Sequence, residues 1–179
     1  MTYEVTMRER AEEMHAGLAL RPNASSTTMA NMAALGKPLP ESLAAALLTL
    51  GGLHAPIERA CGSWNSSLDT FQGNVDFNQK WERKSPGFGS SFEPGQADPF
   101  LSSFDQYLPA PTLEKMAERT AYVQKAFDRP LFPNAAMYTA VFADILGLRP
   151  AAAMGIVITG RTPVLIHIWT ANYDATLGH

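Results

Sequence analysis

Apolar residues recur at helical spacing along most of this chain, and no stretch alternates as a half-buried strand would. Val5, Ala11, Met14 and Leu18, set among Glu4, Arg8, Arg10, Glu12 and Glu13, predict a helix over 4–19. Asn23 to Thr28 is small and polar, a turn or helix cap, and Met29, Met32 and Leu35 predict a short helix from Thr28 to Leu35 that Gly36 and Pro38 stop. Pro40-Glu41-Ser42 opens an apolar helix that runs to Leu50. The pair Gly51-Gly52 then throws His54 clear, and Pro56 suits the first turn of a helix continuing from Ile57 to Trp64. From Ser66 to Lys84 the pattern loosens, with a short helix expected around Val75 to Trp81. Residues 85–111 are rich in Gly, Pro, Ser and Phe and predict a long ordered loop, a length that tends to carry function. Further helices are expected over Thr112–Phe127, Asn134–Leu146 and Ala151–Ile158. Gly160-Arg161-Thr162-Pro163 then breaks the chain before a last helix over Val164–Trp169. The fold class is mainly α, with residues 1–179 read as a single unit without internal repeats.

Composition narrows the function classes. Hydrophobic residues make up 46% of the chain and charged ones 17%, enough for a real core under a surface of modest charge. The net charge of −3, without a basic cluster, argues against nucleic acid as a partner. A single cysteine, Cys61, excludes an internal disulfide and fits a reducing compartment. Charges run through the first residues, so no signal peptide is expected there, and the apolar runs are interrupted short of a membrane span. A cytoplasmic chain without membrane association and without a metal site is the expectation.

Four segments, in this order, resemble citrate synthase and its relatives citryl-CoA lyase and 2-methylcitrate synthase. Gly51-Gly52-Leu53-His54 matches the family's G-x-L-H-G-G-A, with Ala55-Pro56 in place of the two glycines. Pro86-Gly87-Phe88-Gly89 matches P-G-F-G-H, with Ser90 in the histidine's place. Pro133-Asn134-Ala135-Ala136-Met137-Tyr138 matches P-N-V-D-F-Y, and Gly160-Arg161-Thr162 matches A-R-T-x-G-W. The resemblance covers residues 25–175 and corresponds to the second half of a usual member. It therefore implies a citrate synthase-like helical fold with a truncated large domain and the small domain.

The resemblance also implies a chemistry. In the family the first histidine hydrogen-bonds the thioester oxygen of acetyl-CoA, an aspartate removes the methyl proton, and the second histidine polarises the acceptor carbonyl. Such a reaction needs a base and an enol-stabilising donor around one carbon. His54 keeps the donor position, Ser90 retains only a hydroxyl, and Ala136 stands where the aspartate would be. Arg161 is left as a carboxylate fork, whereas the D-P-R after the loop reads Asp98-Pro99-Phe100 here. The Pro86, Gly87, Phe88 and Gly89 main chain is expected to curl around the adenine of CoA, which enters as substrate, with no permanently bound cofactor. Gly73-Asn74-Val75-Asp76-Phe77 spells the aspartate motif too, but it precedes the loop that the family places before its aspartate.

Plainer readings stand beside these: His54 a solvated histidine in an ordinary helix–helix turn, Arg161 paired at a helix end, His167 a core or interface histidine, Trp169 in the core. Ordinary citrate synthase activity is not expected with three of its groups replaced. Two functions follow instead. One is a divergent subunit acting on a CoA thioester, forming or cleaving a carbon–carbon bond, with a homologous partner chain in a homo- or hetero-oligomer completing the site. The other is a non-catalytic homologue that stabilises or regulates a catalytic partner. A third reading, an unrelated helical protein with chance matches, stands apart from both.

Overall fold

Side-chain caps at Asn23, Ser67, Asp98 and Asn134 decide where four of the described helices begin. The computed structural model describes residues 3–50, 57–89 and 95–177. Its helices are α1 (Tyr3–Ala19), α2 (Ala24–Ala34), α3 (Leu39–Leu48), α4 (Ile57–Asn65), α5 (Leu68–Lys80), α6 (Pro99–Ser102), α7 (Ala110–Phe127), α8 (Ala135–Ile145) and α9 (Pro150–Leu177), with a 3-10 turn at Asp105–Tyr107. Among the described residues there is no strand, only a lone antiparallel bridge between Phe88 and Pro133. The mainly α class is as expected.

Four differences from the sequence expectation have physical causes. First, α2 starts at Ala24 rather than at Thr28. Asn23 Oδ1 accepts from the backbone of Ser25 and Ser26, and Ser26 returns a bond to the Asn23 backbone. Second, α5 is far longer than the piece expected near Val75. Ser67 caps it, and Phe71, Val75 and Asn78 give it a buried face. Third, the stretch 85–111 contains α6 and the 3-10 turn, because Asp98 Oδ1 accepts from Phe100 N at 2.9 Å and Pro99 takes the first helical position. Fourth, α9 runs through Gly160 and Pro163 without a break.

The continuity of α9 has a cause on another helix. A Cβ at Gly160 would lie 2.5 Å from the Glu12 carbonyl oxygen and 2.8 Å from His15 Cβ, so glycine is what lets α1 and α9 touch backbone to backbone. Pro163 gives up one backbone bond to stay in the helix. As one uninterrupted element, Pro150–Thr176 is long and apolar enough to cross a membrane by length and composition, which the broken helix was not, and 28% of its most apolar window is buried.

Contacts divide the chain into two compact units. The first comprises Met1–Arg10 and Pro56–Met154, the second Ala11–Ala55 and Gly155–His179. In the first, α4 packs on α8 and α5 on α7, around Trp64, Phe71, Val75, Val123, Met137 and Phe142. In the second, α2 packs on α3, and Met29, Ala46 and Leu165 form a core flanked by Leu43, Ile168 and Trp169.

Candidate functional site

The loop Pro86–Gly89 is shaped by its two glycines and held by its main chain. Gly87 and Gly89 have φ values of 87° and 82°, in the left-handed region that glycine occupies without strain. Gly89 N donates to the Phe132 carbonyl at 2.8 Å, and Asn134 N donates to the Gly87 carbonyl at 2.9 Å. Asn134 does double duty. Its Nδ2 donates to the Gly89 carbonyl at 2.9 Å, while its Oδ1 caps α8 by accepting from Ala136 N at 3.0 Å. One side chain thus ties the loop to the start of α8. A Cβ at Gly87 would meet Met137 Cε at 2.6 Å, so the loop lies directly on the first turn of that helix. Phe88 is buried, its ring 6.2 Å from that of Phe71 on α5. Because the clamp uses backbone groups and Asn134, changes at flanking side chains leave it intact.

Ala136 is buried on the first turn of α8, and its methyl group can neither take nor give a proton. The nearest carboxylate partner along α8 belongs to Tyr138, whose hydroxyl donates to Asp105 Oδ1 at 2.8 Å. Burial pushes the Asp105 carboxyl up, the Tyr138 bond opposing it, and burial together with Asp105 pushes the Tyr138 phenol up. Positions 136 and 138 are separated by roughly 200° around a helix, so the Tyr138 side chain that holds Asp105 leaves α8 on a different face from Ala136. The Phe100 ring meets Phe104 edge-on at 5.4 Å, so the Asp98-Pro99-Phe100 segment serves a cap and an aromatic cluster.

Arg161 belongs to the second unit. Its Nη1 reaches Ser25 Oγ at 3.3 Å and Asn23 Oδ1 at 3.5 Å, the same oxygen that caps α2. Burial lowers its pKa, and burial, reinforced by Arg161, holds the His15 imidazole down at about 3. His54 and Ser90 lie outside the described residues. Asp76 is exposed on α5 and accepts from the Tyr122 hydroxyl at 3.0 Å, His167 is exposed on α9, and Trp169 Nε1 donates to the Lys37 carbonyl at 3.0 Å beside the core. Among the described residues no three His, Cys, Asp or Glu side chains are grouped to hold a metal.

One cluster, with Trp64, Phe71 and Arg119 buried and Asp144 exposed, had no signal in the sequence. The Arg119 guanidinium lies 4.5 Å from the Phe71 ring centroid and donates to the Ser63 and Ser66 carbonyls around the end of α4. Lys115 Nζ sits 4.1 Å over Trp64, whose indole N–H donates to Asp144 at 2.9 Å. These groups close a helix end and brace α4 against α7 and α8.

No family model matches this chain, and no curated protein matches it by sequence. The structure is similar to that of citryl-CoA lyase from Hydrogenobacter thermophilus, with a TM-score of 0.78 at 18% identity, over 97% of this chain and 70% of that one. The fold is therefore citrate synthase/citryl-CoA lyase-like.

Proposed function

We propose that this chain is a divergent citrate synthase-like subunit that acts on a CoA thioester, forming or cleaving a carbon–carbon bond, with a partner chain completing the site. The observation that carries this reading is the Pro86–Gly89 main chain clamped by Asn134 onto the start of α8, within a citryl-CoA lyase-like fold. A loop held by its backbone keeps its shape while the reacting side chains around it change. In this reading His54 hydrogen-bonds the thioester oxygen as negative charge develops there, and the Ser90 hydroxyl donates to the second carbonyl. Arg161 takes a carboxylate once it exchanges Asn23 and Ser25 for substrate. The proton acceptor is a partner carboxylate, since Ala136 supplies none. Leu20, Leu35 and Leu48, between 69% and 84% exposed, offer apolar surface that association would cover.

The alternative, a non-catalytic homologue that stabilises a catalytic partner, is favoured by Ala136 and by the existing engagement of Arg161 with Asn23 and Ser25. The untagged complex, purified from its native source and titrated with CoA, tests the first reading. CoA binding to the complex, together with loss of turnover in His54→Ala, supports a shared active site. Full turnover in that variant assigns the chain a structural role. A chain that elutes alone and binds no CoA ends both.

A further inference from the structure

Large rings and cations stand together at the end of α5, immediately before the glycine loop. Phe77 and Trp81 are 51% and 58% exposed and lie one turn apart on the same helix face, their ring centroids 6.3 Å apart. Aromatic side chains of this size usually dominate cores and interfaces, so two adjacent ones in solvent call for an explanation. The Arg83 guanidinium lies 5.5 Å from the Phe77 ring centroid. Lys80 shares the helix face of the rings, Lys84 follows Arg83, and both are exposed. Three cations against the single anion Glu82 make this segment basic in a chain whose net charge is −3. Gly73, one turn earlier on that face, has open space around it, which leaves a shelf beside the rings.

The turn that forms the patch is strained. Glu82 has φ 51°, a left-handed conformation that glycine adopts at lower cost. There Glu82 N donates to the Gln79 carbonyl at 3.1 Å and Arg83 N to the Asn78 carbonyl at 2.8 Å, a helix-ending pair of bonds that sends Arg83 back over Phe77. Asp128 ends α7 in the same conformation, so this turn positions Arg83 over Phe77 rather than marking a site by itself.

We infer that this face takes the phosphorylated adenosine end of the CoA thioester, with the Trp81 ring stacked on the base, the tilted Phe77 ring at its edge, and Lys80, Arg83 and Lys84 meeting the phosphates. The inference rests on the CoA reading proposed above. Ring faces beside cations recognise a flat π system that carries negative charge. A longer polyanion, such as single-stranded nucleic acid, fits less well with the acidic balance of the whole chain.

Tryptophan fluorescence of the full chain supplies the first test, because of the three tryptophans Trp64 is buried, Trp169 is partly buried and Trp81 is exposed, and loss of the signal in Trp81→Ala assigns it. The probes are adenosine 3′,5′-bisphosphate, CoA, pantetheine and an oligoadenylate. The bisphosphate and CoA are expected to quench Trp81 and pantetheine is not. By isothermal titration calorimetry, which does not depend on the fluorophore, Trp81→Ala is expected to weaken CoA binding about tenfold, as is the triple variant Lys80→Ala, Arg83→Ala, Lys84→Ala. Unchanged CoA affinity in both variants would overturn this inference and leave the CoA reading standing. Quenching by the bisphosphate without any binding of CoA would keep the patch and end the CoA reading. Tighter binding of the oligoadenylate than of the bisphosphate would overturn the proposal in favour of nucleic acid, and silence with every probe overturns both readings.

Discussion

The buried imidazole of His15 makes stability depend on pH, and the size of that dependence follows from its surroundings. Burial, with the Arg161 charge adding to it, holds the folded-state pKa at about 3, against 6.5 for a free imidazole. Between those values the unfolded chain binds a proton that the folded chain refuses. The slope is therefore positive: stability is complete above about pH 6.5 and is lost progressively as pH falls toward 3. Moving from pH 7 to pH 5 should cost about 2 kcal/mol through this one group. His15→Gln keeps a side chain of similar size without the titration. Its own destabilisation at pH 7 does not matter, because the change with pH is what is compared. Urea unfolding of both proteins at pH 7 and pH 5 measures the difference. The parent should lose about 2 kcal/mol more than the variant over that interval. Equal losses, within about 0.5 kcal/mol, would refute the reasoning, because His15 would then be accepting its proton in the folded state as readily as in water.

Other expectations come from the same kind of argument. Gly87→Ala forces a Cβ against Met137 at a φ of 87°, and should cost about 3 kcal/mol in thermal or urea unfolding. Adding Met137→Ala relieves the collision but not the backbone, so recovery should be partial. Arg119→Met strips the Ser63 and Ser66 carbonyls of their charged donor and should lower stability by about 3 kcal/mol, while loss of less than about 0.5 kcal/mol would show that water replaces the guanidinium. The Cys61 thiol is pushed up to about 11 by burial and by the Glu58 and Asp144 charges, so it should resist a thiol reagent at pH 8 until the chain is unfolded. Rapid labelling of the folded protein would contradict that placement.

The candidate site was legible in part. The sequence expectation starts a helix at Asn134, and in the structure Asn134 stands just before α8 and caps it. Its second bond, to Gly89, depends on a loop brought in from 45 residues away, which no local pattern encodes. Arg161 was open to two readings, a carboxylate fork or a structural pairing, and in this structure its guanidinium reaches Asn23 and Ser25. The Lys115, Arg119, Trp64 and Asp144 cluster left no trace at all, since its members fall on three helices and none of them stands in a motif.

By itself the sequence determined the helical class, the approximate places of α1 to α4, α7 and α8, and the loop with its two glycines. These follow from interactions within a few residues: apolar spacing that matches the helix period, side chains that cap the next turn, and backbone angles that only glycine takes freely. Tertiary structure alone decided that α5 extends back to Leu68 and that α9 passes through Gly160 and Pro163. It also joined the loop to α8 through Asn134. Glycine and proline look like breakers when only neighbours in sequence are weighed. At Gly160 the missing side chain instead makes room for the Glu12 backbone of α1, and contact between distant segments outweighs the local preference to stop.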